Sequence, residues 1–325
     1  MKEKILVTGA GGFIGSHLVE LLVEKGFSVK AFVRYNSKNN WGWLENSTIK
    51  NQIEIVTGDI RDYDSVYNSM KDIKYVFHLA ALIGIPYSYV SPKAYLETNI
   101  NGTYNILQAA KELNIEQILI TSTSETYGTA QYIPIDEKHP LVGQSPYSAT
   151  KIAADQLAIS YYRSFNLPVK IVRPFNTFGP RQSARAIIPT IITQILSGYD
   201  TIKVGNLHPT RDLTYVKDTV LGFYEIFNSN SLFGEVTNIG MNFEISMQDL
   251  INQIVKLIGK NINIISDTSR IRPANSEVER LYCNNSKLLS NTNWKPKYNL
   301  ETGLIETIKW IEQNLSIYKA DLYNV

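Results

Sequence analysis

Short apolar runs alternate with helical patterns through the first half of the chain. The apolar runs cover residues 4–8, 28–33, 53–57, 75–79, 117–121 and 169–172. Between them lie stretches with apolar residues at helical spacing, the longest at 13–25, 92–113 and 147–165. Strands that form continuous apolar runs are typical of parallel sheets covered by helices on both faces. The pattern therefore predicts an α/β fold with a doubly wound parallel sheet.

This strict alternation ends near residue 180. Beyond that point, short strands at Thr201–Val204 and Val236–Ile239 are mixed with helical patterns at 186–196, 215–227, 246–258 and 301–314. The sequence contains neither internal repeats nor a low-complexity linker. We therefore expect two unequal parts, with residues 1–180 as the larger domain and residues 181–325 as a smaller α/β lobe.

Glycines mark the turn between the first strand and the first helix, at Gly9, Gly12 and Gly15. Glycines with this spacing allow a tight turn, close approach of the backbone to a pyrophosphate, and close helix–strand packing. The free N–H groups at the start of the helix, around Phe13 and Ile14, would then meet the phosphates. We predict a dinucleotide site on a Rossmann sheet, in the domain formed by residues 1–180.

The carboxyl ends of the next three strands supply further candidates for the cofactor site. The second strand ends in Arg34, at the position where an acidic residue would bind the ribose diol of NAD and repel a 2′-phosphate. Because a guanidinium can bind that phosphate and stack on adenine, we predict NADP as the cofactor, with NAD as the alternative. The other candidates at these strand ends are Asp59, Ile60, Leu79, Ala80 and Ala81.

A cluster of hydroxyl groups and one carboxylate follows the fifth strand, at Ser122, Thr123, Ser124 and Glu125. Such groups at the carboxyl end of a strand face the same crevice as the glycine turn, where they are suited to chemistry. The alternative is an ordinary turn or helix cap, for which Ser and Thr are favoured. Glu125 favours the catalytic interpretation, because a cap does not need this carboxylate.

Tyr147 and Lys151 lie four residues apart in the next helical pattern, and therefore share one face of a helix. A nearby ammonium favours the phenolate form of a tyrosine, so we expect Lys151 to lower the pKa of Tyr147. A tyrosine with a lowered pKa can accept the proton of an alcohol during its oxidation. The alternative is an ordinary surface pair, and the glycine turn and the Thr123 cluster argue against it.

Two further features of the first domain have competing interpretations. His78 lies inside the apolar run 76–79 and is more typical of a hydrogen-bonded core residue than of a ligand or a base. Trp41, Gly42 and Trp43 lie in the polar connection 36–50. Three interpretations stay open for them: a lid, a subunit contact, or a small satellite core.

Composition and charge limit the class of protein. The 325 residues are 44% hydrophobic and 19% charged with a net charge of +2, which is typical of a globular protein without a nucleic-acid or membrane surface. The single Cys283 excludes an intrachain disulfide and, with only four His, argues against a structural zinc site, so we expect no metal. The first apolar run begins at Ile5 without a secretory signal pattern. We expect a cytoplasmic enzyme or binding protein.

These motifs together resemble the extended short-chain dehydrogenase/reductases, over essentially the whole chain. The resemblance rests on the glycine turn, the Ser/Thr cluster, the Tyr147–Lys151 pair and the Arg-Pro-Phe-Asn segment at 173–176. It continues at 211–212, 272–273 and 293–296. The order Thr-Ser-Glu at 123–125 and the presence of Arg34 are similar to GDP-mannose 4,6-dehydratase. Segments 35–37, 41–44, 85–89 and 181–185 look like the legionaminic-acid-pathway dehydratases, which act on an NDP-N-acetylglucosamine, in some bacteria the GDP form.

The resemblance implies a nucleotide-sugar 4,6-dehydratase that converts an NDP-hexose, expected to be GDP- or UDP-N-acetylglucosamine, to the 4-keto-6-deoxy sugar. It implies catalysis by Thr123, Glu125, Tyr147 and Lys151, with Tyr147 and Lys151 also contacting the cofactor. It implies that the lobe formed by residues 181–325 binds the nucleotide sugar. It also implies a homodimer formed through the helix that carries Tyr147 and the long helix before the fifth strand.

Substrate contacts are expected from Ser124, Asn176, Arg185, Arg211 and Arg272. The forked guanidinium groups of the three arginines suit the oxygens of a sugar diphosphate, and their alternative role is surface salt bridging. Ser124 is a departure from the pattern of the dTDP-glucose dehydratases, which carry Asp at this position. Because a Ser is not an acid near neutral pH, Glu125 or water must protonate the leaving hydroxyl.

Three other functions share part of this pattern. A 4-epimerase would act on the same substrates and leave the 6-hydroxyl in place, but simple 4-epimerases usually lack a carboxylate at the Glu125 position. A decarboxylase would need a cation for a carboxylate near C6. A non-catalytic NAD(P)-sensing regulator would be expected to lack Tyr147 or Lys151. The sequence leaves the nucleotide base and the sugar epimer open.

Overall fold

Parallel strands rich in Val, Ile and Leu form the centre of the fold. The computed structural model of the chain describes residues 3–320 and Leu322. Its strands are β1 (Lys4–Thr8), β2 (Ser28–Arg34), β3 (Glu54–Gly58), β4 (Tyr75–His78), β5 (Gln117–Thr121), β6 (Val169–Pro174), β7 (Asn176–Phe178), β8 (Thr201–Val204), β9 (Thr210–Arg211), β10 (Leu213–Tyr215), β11 (Val236–Ile239), β12 (Ile245–Ser246), β13 (Asn263–Ser266) and β14 (Arg280–Leu281).

The helices follow the amphipathic segments between these strands. They are α1 (Phe13–Glu24), α2 (Tyr63–Met70), α3 (Ile85–Val90), α4 (Pro92–Tyr95), α5 (Gly102–Glu112), α6 (Pro146–Phe165), α7 (Ile187–Leu196), α8 (Val216–Asn228), α9 (Met247–Ile258), α10 (Ser286–Asn291) and α11 (Leu300–Gln313). The helix predicted at 92–113 contains a π-helical stretch, Leu96–Asn101, which joins α4 to α5. Short 3₁₀ turns at Gly42–Asn46 and Ser124–Tyr127 lie beside the candidate site.

The main sheet has seven strands in the order β11-β6-β5-β4-β1-β2-β3, and each neighbouring pair is parallel. On β1, Ile5 and Val7 pack with apolar residues of α1 and α8, whereas Leu6 packs with Ile106 of α5 and Ala158 of α6. Helices therefore cover both faces, as the apolar runs predicted. The order reverses between β1 and β4, and at such a reversal the carboxyl ends of the strands leave a crevice. The predicted doubly wound Rossmann sheet is confirmed.

The strand Val236–Ile239 was expected in the C-terminal lobe, and this assignment is wrong. It forms β11, the edge strand of the main sheet, and pairs in parallel with β6 from Ile171 to Pro174. Helix α8 covers this part of the sheet, so Phe223 and Ile226 are fully buried. A strand separated from its partner by so many residues gives no local signal of which sheet it joins. The division of the chain at residue 180 stays a prediction.

Smaller sheets lie beyond β6. Strands β9, β12 and β14 form a three-stranded sheet, while β7 pairs with β10 and β8 pairs with β13. Helix α8 begins at Val216 rather than at residue 215, because Tyr215 belongs to β10. The first of these sheets carries Arg211 at the end of β9, and this position brings its side chain to the crevice of the main sheet.

Two features of the described residues concern the expected absence of a membrane and of a metal. Of the helices within residues 3–320, none combines the length and the apolar composition needed to cross a bilayer. In the same part of the chain, no group of three or more His, Cys, Asp or Glu side chains is arranged to hold a metal ion. Cys283 is a buried free thiol.

Candidate active site

A cavity of about 1160 Å³ opens at the carboxyl ends of the parallel strands. Every candidate residue proposed from the sequence lines it: Gly9, Gly12, Phe13, Ile14, Gly15, Arg34, Asp59, Ile60, Leu79, Ala80, Ala81, Thr123, Ser124, Glu125, Tyr147, Lys151, Asn176, Arg185, Arg211 and Arg272. The structure thus brings the predicted cofactor, catalytic and substrate groups together. Their individual roles stay predictions.

The glycine turn forms one end of the cavity. Gly9 has a φ of +68°, in the left-handed region, and a Cβ on Gly15 would lie 2.2 Å from the Gly9 carbonyl oxygen. A side chain at either position would therefore distort the turn. Helix α1 begins at Phe13 with no side-chain cap and no acidic residue in its first turn. Its N-terminus therefore fits an anion such as a pyrophosphate.

Arg34 and Asp59 lie on the adjacent part of the cavity wall, where β2 and β3 end. Arg34 is exposed. The Arg61 guanidinium contacts both carboxylate oxygens of Asp59, with Nε 3.0 Å from each. This pair holds the pKa of Asp59 below its usual value, and the charge of Arg34 acts in the same direction. Two cations and one carboxylate thus face the place where the ribose end of a dinucleotide would lie.

The start of α6 positions Tyr147. Ser145 caps the helix in a reciprocal arrangement with Ser148, and Pro146 occupies the first helical position. These residues fix the first turn, so Tyr147 and Lys151 project from one face toward the cavity. Both side chains are almost fully buried, at 7% and 4% exposure. The surface-pair interpretation is therefore wrong.

The electrostatics of this pair differ from the expectation. The Lys151 Nζ donates a hydrogen bond to the carbonyl oxygen of Thr121, at 2.6 Å. Burial raises the pKa of Tyr147 well above its usual value, and a hydrogen bond with the Thr123 side chain opposes that shift. Burial also lowers the pKa of Lys151, while Asp155 raises it. Burial thus outweighs the other influences on the pKa of Tyr147, and sequence spacing does not reveal this desolvation. The lowering expected from Lys151 stays a prediction.

The Ser/Thr cluster caps a turn and also lines the cavity, and its catalytic role stays a prediction. The Thr123 Oγ1 caps the 3₁₀ turn Ser124–Tyr127 by accepting a hydrogen bond from the Glu125 N–H at 3.3 Å. Thr123 and Glu125 nevertheless both line the cavity. The charge of Glu125 adds to the burial that raises the pKa of Tyr147, and it opposes the burial that lowers the pKa of Arg211. The turn therefore carries a carboxylate next to the buried phenol.

A buried ion pair between Asp155 and Arg173 links the Ser/Thr cluster to α6. The Arg173 Nη2 and the Ser122 hydroxyl each donate to Oδ2 of Asp155, both at 2.6 Å, and the guanidinium lies 4.5 Å above the ring of Tyr127. Asp155 is fully buried, and Arg173 is 1% exposed. Asp155 also follows Lys151 by one helical turn on α6. This network joins the ends of β5 and β6 to the helix that carries Tyr147.

Replacing Asp155 by Asn should leave the charge of Arg173 buried without its partner. We expect this change to lower the free energy of unfolding by about 3–5 kcal/mol, measured by urea denaturation. Asp72→Asn makes the same chemical change at an exposed position and should alter stability by less than about 0.5 kcal/mol. Equal stabilities for the two variants would mean that the buried pair contributes nothing net.

His78 is confirmed as a hydrogen-bonded core residue. Its Nδ1 lies 2.8 Å from the hydroxyl of Thr8, and its Nε2 lies 3.2 Å from the hydroxyl of Thr103. Burial lowers the pKa of His78 to about 3, and the charge of Lys151 adds to the shift. The neutral ring therefore ties β1, β4 and α5 together beneath the cavity.

Two of the three arginines proposed to contact the substrate share one carboxylate. Arg211 and Arg272 each contact Oε1 of Glu277, at 3.4 and 3.5 Å. Arg211 is buried, and burial lowers its pKa, while Arg272 is partly exposed. Arg185 is exposed, and its Nε lies 3.3 Å from the Ser183 hydroxyl. The three arginines therefore bring positive charge to the cavity, which suits a diphosphate.

Sequence reasoning missed several groups that line the same cavity. Among them are Gly11, Trp41, Tyr87, Gln182 and Glu277. Gly11 stands inside the glycine turn and was the most visible of these. Tyr87 lies on α3, and the other three come from loops. Their approach to the cavity depends on the tertiary fold, so local sequence gives no signal for it.

Comparisons with known proteins identify the family. The model of the GDP-mannose 4,6 dehydratase family matches residues 6–307, which is most of the chain. The chain belongs to this family. The predicted membership of the extended short-chain dehydrogenase/reductases and the prediction of an enzyme are thereby confirmed.

Individual relatives include both dehydratases and epimerases. A protein of Methanocaldococcus jannaschii, provisionally named UDP-glucose 4-epimerase, is 32% identical over 315 residues, which cover 95% of this chain and 99% of the relative. A dTDP-glucose 4,6-dehydratase of Streptomyces antibioticus is 31% identical over 314 residues, covering 95% of this chain and 92% of the relative. The solved dTDP-glucose 4,6-dehydratase of Streptomyces venezuelae, with NAD bound, has a TM-score of 0.88 and 26% identity, and the match covers 97% of this chain and 99% of that one.

Proposed function

We propose that the protein is a nucleotide-sugar 4,6-dehydratase. It converts an NDP-hexose, GDP- or UDP-N-acetylglucosamine, to the 4-keto-6-deoxy sugar with loss of one water. The observation that carries this proposal is Glu125, a carboxylate on the turn after β5 in the same cavity as Thr123 and the buried Tyr147. Oxidation at C4 requires only an acceptor for the hydroxyl proton, whereas water loss also requires a base for the C5 hydrogen.

The cavity fits a dinucleotide cofactor. The glycine turn and the uncapped N-terminus of α1 would hold its pyrophosphate, Arg34 and Asp59 would face its adenosine, and Tyr147 and Lys151 would face its nicotinamide end. When bound, the cofactor would supply hydride acceptance and return, and its oxidised ring would bring a positive charge that favours the phenolate of Tyr147.

Each catalytic residue then has one task. Tyr147 takes the proton of the sugar 4-hydroxyl, and the Thr123 hydroxyl donates a hydrogen bond to the same oxygen. Glu125 removes the hydrogen from C5, which the 4-ketone has made acidic. Lys151, fixed at the end of β5 by the carbonyl of Thr121, orients the ribose of the cofactor. Glu125 or a water molecule protonates the departing 6-hydroxyl, since Ser124 supplies no acid.

The substrate-side groups are proposed to hold the sugar diphosphate. Arg211 and Arg272 line the cavity from β9 and from the loop before β14, and Arg185 lines it from the loop before α7. Ser124 begins the turn that carries Glu125, Asn176 begins β7, and both are proposed to contact the sugar. In this proposal the lobe formed by residues 181–325 binds the nucleotide sugar.

The homodimer is also proposed rather than observed. It would form through α5 and α6, on which Tyr104 and Phe165 are 45% and 48% exposed. Light scattering on the purified chain measures this state directly, and a monomer at working concentration contradicts the proposal. We also propose a cytoplasmic location, and fractionation of cells that produce the protein tests it.

Mass spectrometry of products from a panel of UDP-, GDP- and dTDP-hexoses tests the reaction. Loss of one water from one member identifies both the reaction and the substrate. A 4-epimerase is the second candidate, supported by the name of the M. jannaschii relative. It would return a product of unchanged mass with an altered C4 configuration, and that result would replace the dehydratase proposal.

We infer NADP as the cofactor, because β2 ends in Arg34 rather than in a carboxylate. The chain should prefer NADP to NAD, and Arg34→Ala should lose that preference at a cost of about 1.5–3 kcal/mol in NADP binding. Calorimetry with each dinucleotide measures the difference, and Arg163→Ala, an exposed arginine at the end of α6, serves as the control. Equal affinity of the parent protein for NAD and NADP contradicts this assignment.

A further inference from the structure

The Trp-Gly-Trp motif left unexplained by the sequence lies directly against the glycine turn. We call residues 41–43 the tryptophan segment. The Trp43 N–H donates a hydrogen bond to the carbonyl oxygen of Gly11 at 3.0 Å. A Cβ on Gly42 would lie 2.3 Å from that same oxygen, and a Cβ on Gly11 would lie 2.4 Å from the carbonyl oxygen of Trp41. The two backbones therefore touch so closely that neither glycine can carry a side chain without moving the other segment.

Local hydrogen bonds hold the tryptophan segment in this position. Gly42 has a φ of +65°, and its N–H donates to Oδ1 of Asn40 at 2.8 Å. The Trp41 N–H donates to Oε1 of Glu45, also at 2.8 Å. Asn36 folds the preceding loop, because its amide donates to the Asn40 carbonyl at 2.7 Å and its Oδ1 accepts from the Asn40 N–H at 3.1 Å. The segment is thus preorganised by its own loop.

The indole of Trp43 anchors the segment to the far end of the chain. It packs edge to face on Trp310 of α11, with ring centroids 5.3 Å apart, and Trp310 packs in turn against Tyr318 at 6.3 Å. Aromatic pairs in this geometry add to the stabilisation that comes from burial alone. A contact within one chain accounts for the second tryptophan of the motif, so neither a lid nor a subunit contact is needed to explain it.

We propose that the tryptophan segment is a positioning element for the dinucleotide cofactor. Gly42 and Trp43 fix the carbonyl of Gly11, and with it the turn whose N–H groups receive the pyrophosphate. Gly42 also lines the cavity, and through their contacts with the turn both residues set how tightly the cofactor is held. This inference rests on the proposed function only in taking a dinucleotide as the ligand of the glycine turn.

Gly42→Ala is the sharpest test, because it adds one methyl group against the Gly11 carbonyl. Gly259→Ala is its matched control, since Gly259 also has a positive φ, of +75°, but no atom lies within 4 Å of the added Cβ. We expect the Kd for NADP, measured by calorimetry on the full-length protein, to rise at least about tenfold for Gly42→Ala. The control should stay within about twofold of the parent protein. Unchanged affinity in a folded Gly42→Ala protein overturns the inference.

Variants at Trp43 separate positioning from general destabilisation. Trp43→Phe keeps an aromatic ring against Trp310 and should bind NADP within about twofold of the parent, whereas Trp43→Ala should show the loss. Binding of GDP and UDP, probed on the same variants, should change by less than about twofold, because those ligands do not contact the glycine turn. An equal loss of nucleotide diphosphate and cofactor binding in Trp43→Ala contradicts the positioning role.

A parent protein that binds neither NAD nor NADP overturns the proposed function and this inference together. A parent protein that binds the cofactor, with the same affinity in Gly42→Ala, overturns the inference alone.

Discussion

Tyr147→Phe should nearly abolish turnover while leaving cofactor binding close to that of the parent protein. The change removes one oxygen from a side chain that is 7% exposed, so the shape of the cavity is preserved. Without the phenol, no group is placed to take the proton of the sugar 4-hydroxyl. General-base contributions of this kind are about 10²–10⁴-fold, and we expect a loss in kcat of at least that size.

Tyr161→Phe provides the matched control for this experiment. Tyr161 lies on the same helix, and its hydroxyl donates to Gln108 at 2.9 Å on the face that packs against α5, away from the cavity. Removing that hydroxyl should leave kcat within about twofold of the parent value. A Tyr147→Phe enzyme that retains more than a few per cent of parental turnover would mean that another group accepts the proton, and that the site has been misassigned.

The parts of the fold that the sequence predicted came mostly from its apolar runs, the residues at their ends and the glycine turn. The apolar runs predicted the parallel sheet because each buried strand of such a sheet is apolar on both faces, and five of the six runs agree with their strands to within one residue at either end. The sixth, predicted at 169–172, forms a strand that extends two residues further, to Pro174. The order of the strands along the sheet could not be predicted from the sequence, and the strand Val236–Ile239 shows why. Its partner β6 is distant in sequence, and only tertiary packing on α8 selects it.

The sequence predicted which residues line the candidate site, but it did not predict the pKa of Tyr147 within it. Residues at strand ends share one edge of a parallel sheet, so Arg34, Thr123 and Asn176 converge on one cavity for geometric reasons. The pKa of Tyr147 depends instead on how deeply the phenol is buried, which spacing in the sequence does not encode. The contact between Gly42 and Gly11 was equally invisible, because two backbone segments meet there without any side-chain signal.

The buried Asp155–Arg173 pair holds the turn that carries Glu125 in place relative to the helix that carries Tyr147. Asp155 accepts hydrogen bonds from Arg173 at the end of β6 and from Ser122 just beyond β5. It lies on the helix that carries Tyr147, so a shift of either strand end would break a bond to a fully buried carboxylate. Breaking such a pair is strongly unfavourable, and the catalytic turn and the catalytic helix therefore keep a fixed relative position.

Glu125→Gln should separate the two halves of the proposed reaction. The substitution keeps the size of the side chain and its capacity for hydrogen bonds, but it removes the base. We expect the variant still to oxidise C4, so that the absorbance of reduced nicotinamide accumulates on addition of substrate, while water loss slows by about 10²–10⁴-fold. Glu116→Gln, an exposed carboxylate at the opposite end of β5, makes the same change outside the cavity and should leave both steps unaffected.

Hydrogen exchange at C5 decides whether Glu125 acts as that base. Removal of the C5 hydrogen by a carboxylate exchanges it with solvent, so the product that the parent enzyme forms in deuterated water should carry deuterium at C5. Any sugar that Glu125→Gln returns should carry none, because its C5–H bond is never broken. A 4-epimerase breaks only the C4–H and O–H bonds and would leave C5 unlabelled in both proteins. A parent product without label at C5, or a variant with parental rates of water loss, would make Glu125 a structural residue of the turn and leave epimerisation as the reaction of this cavity.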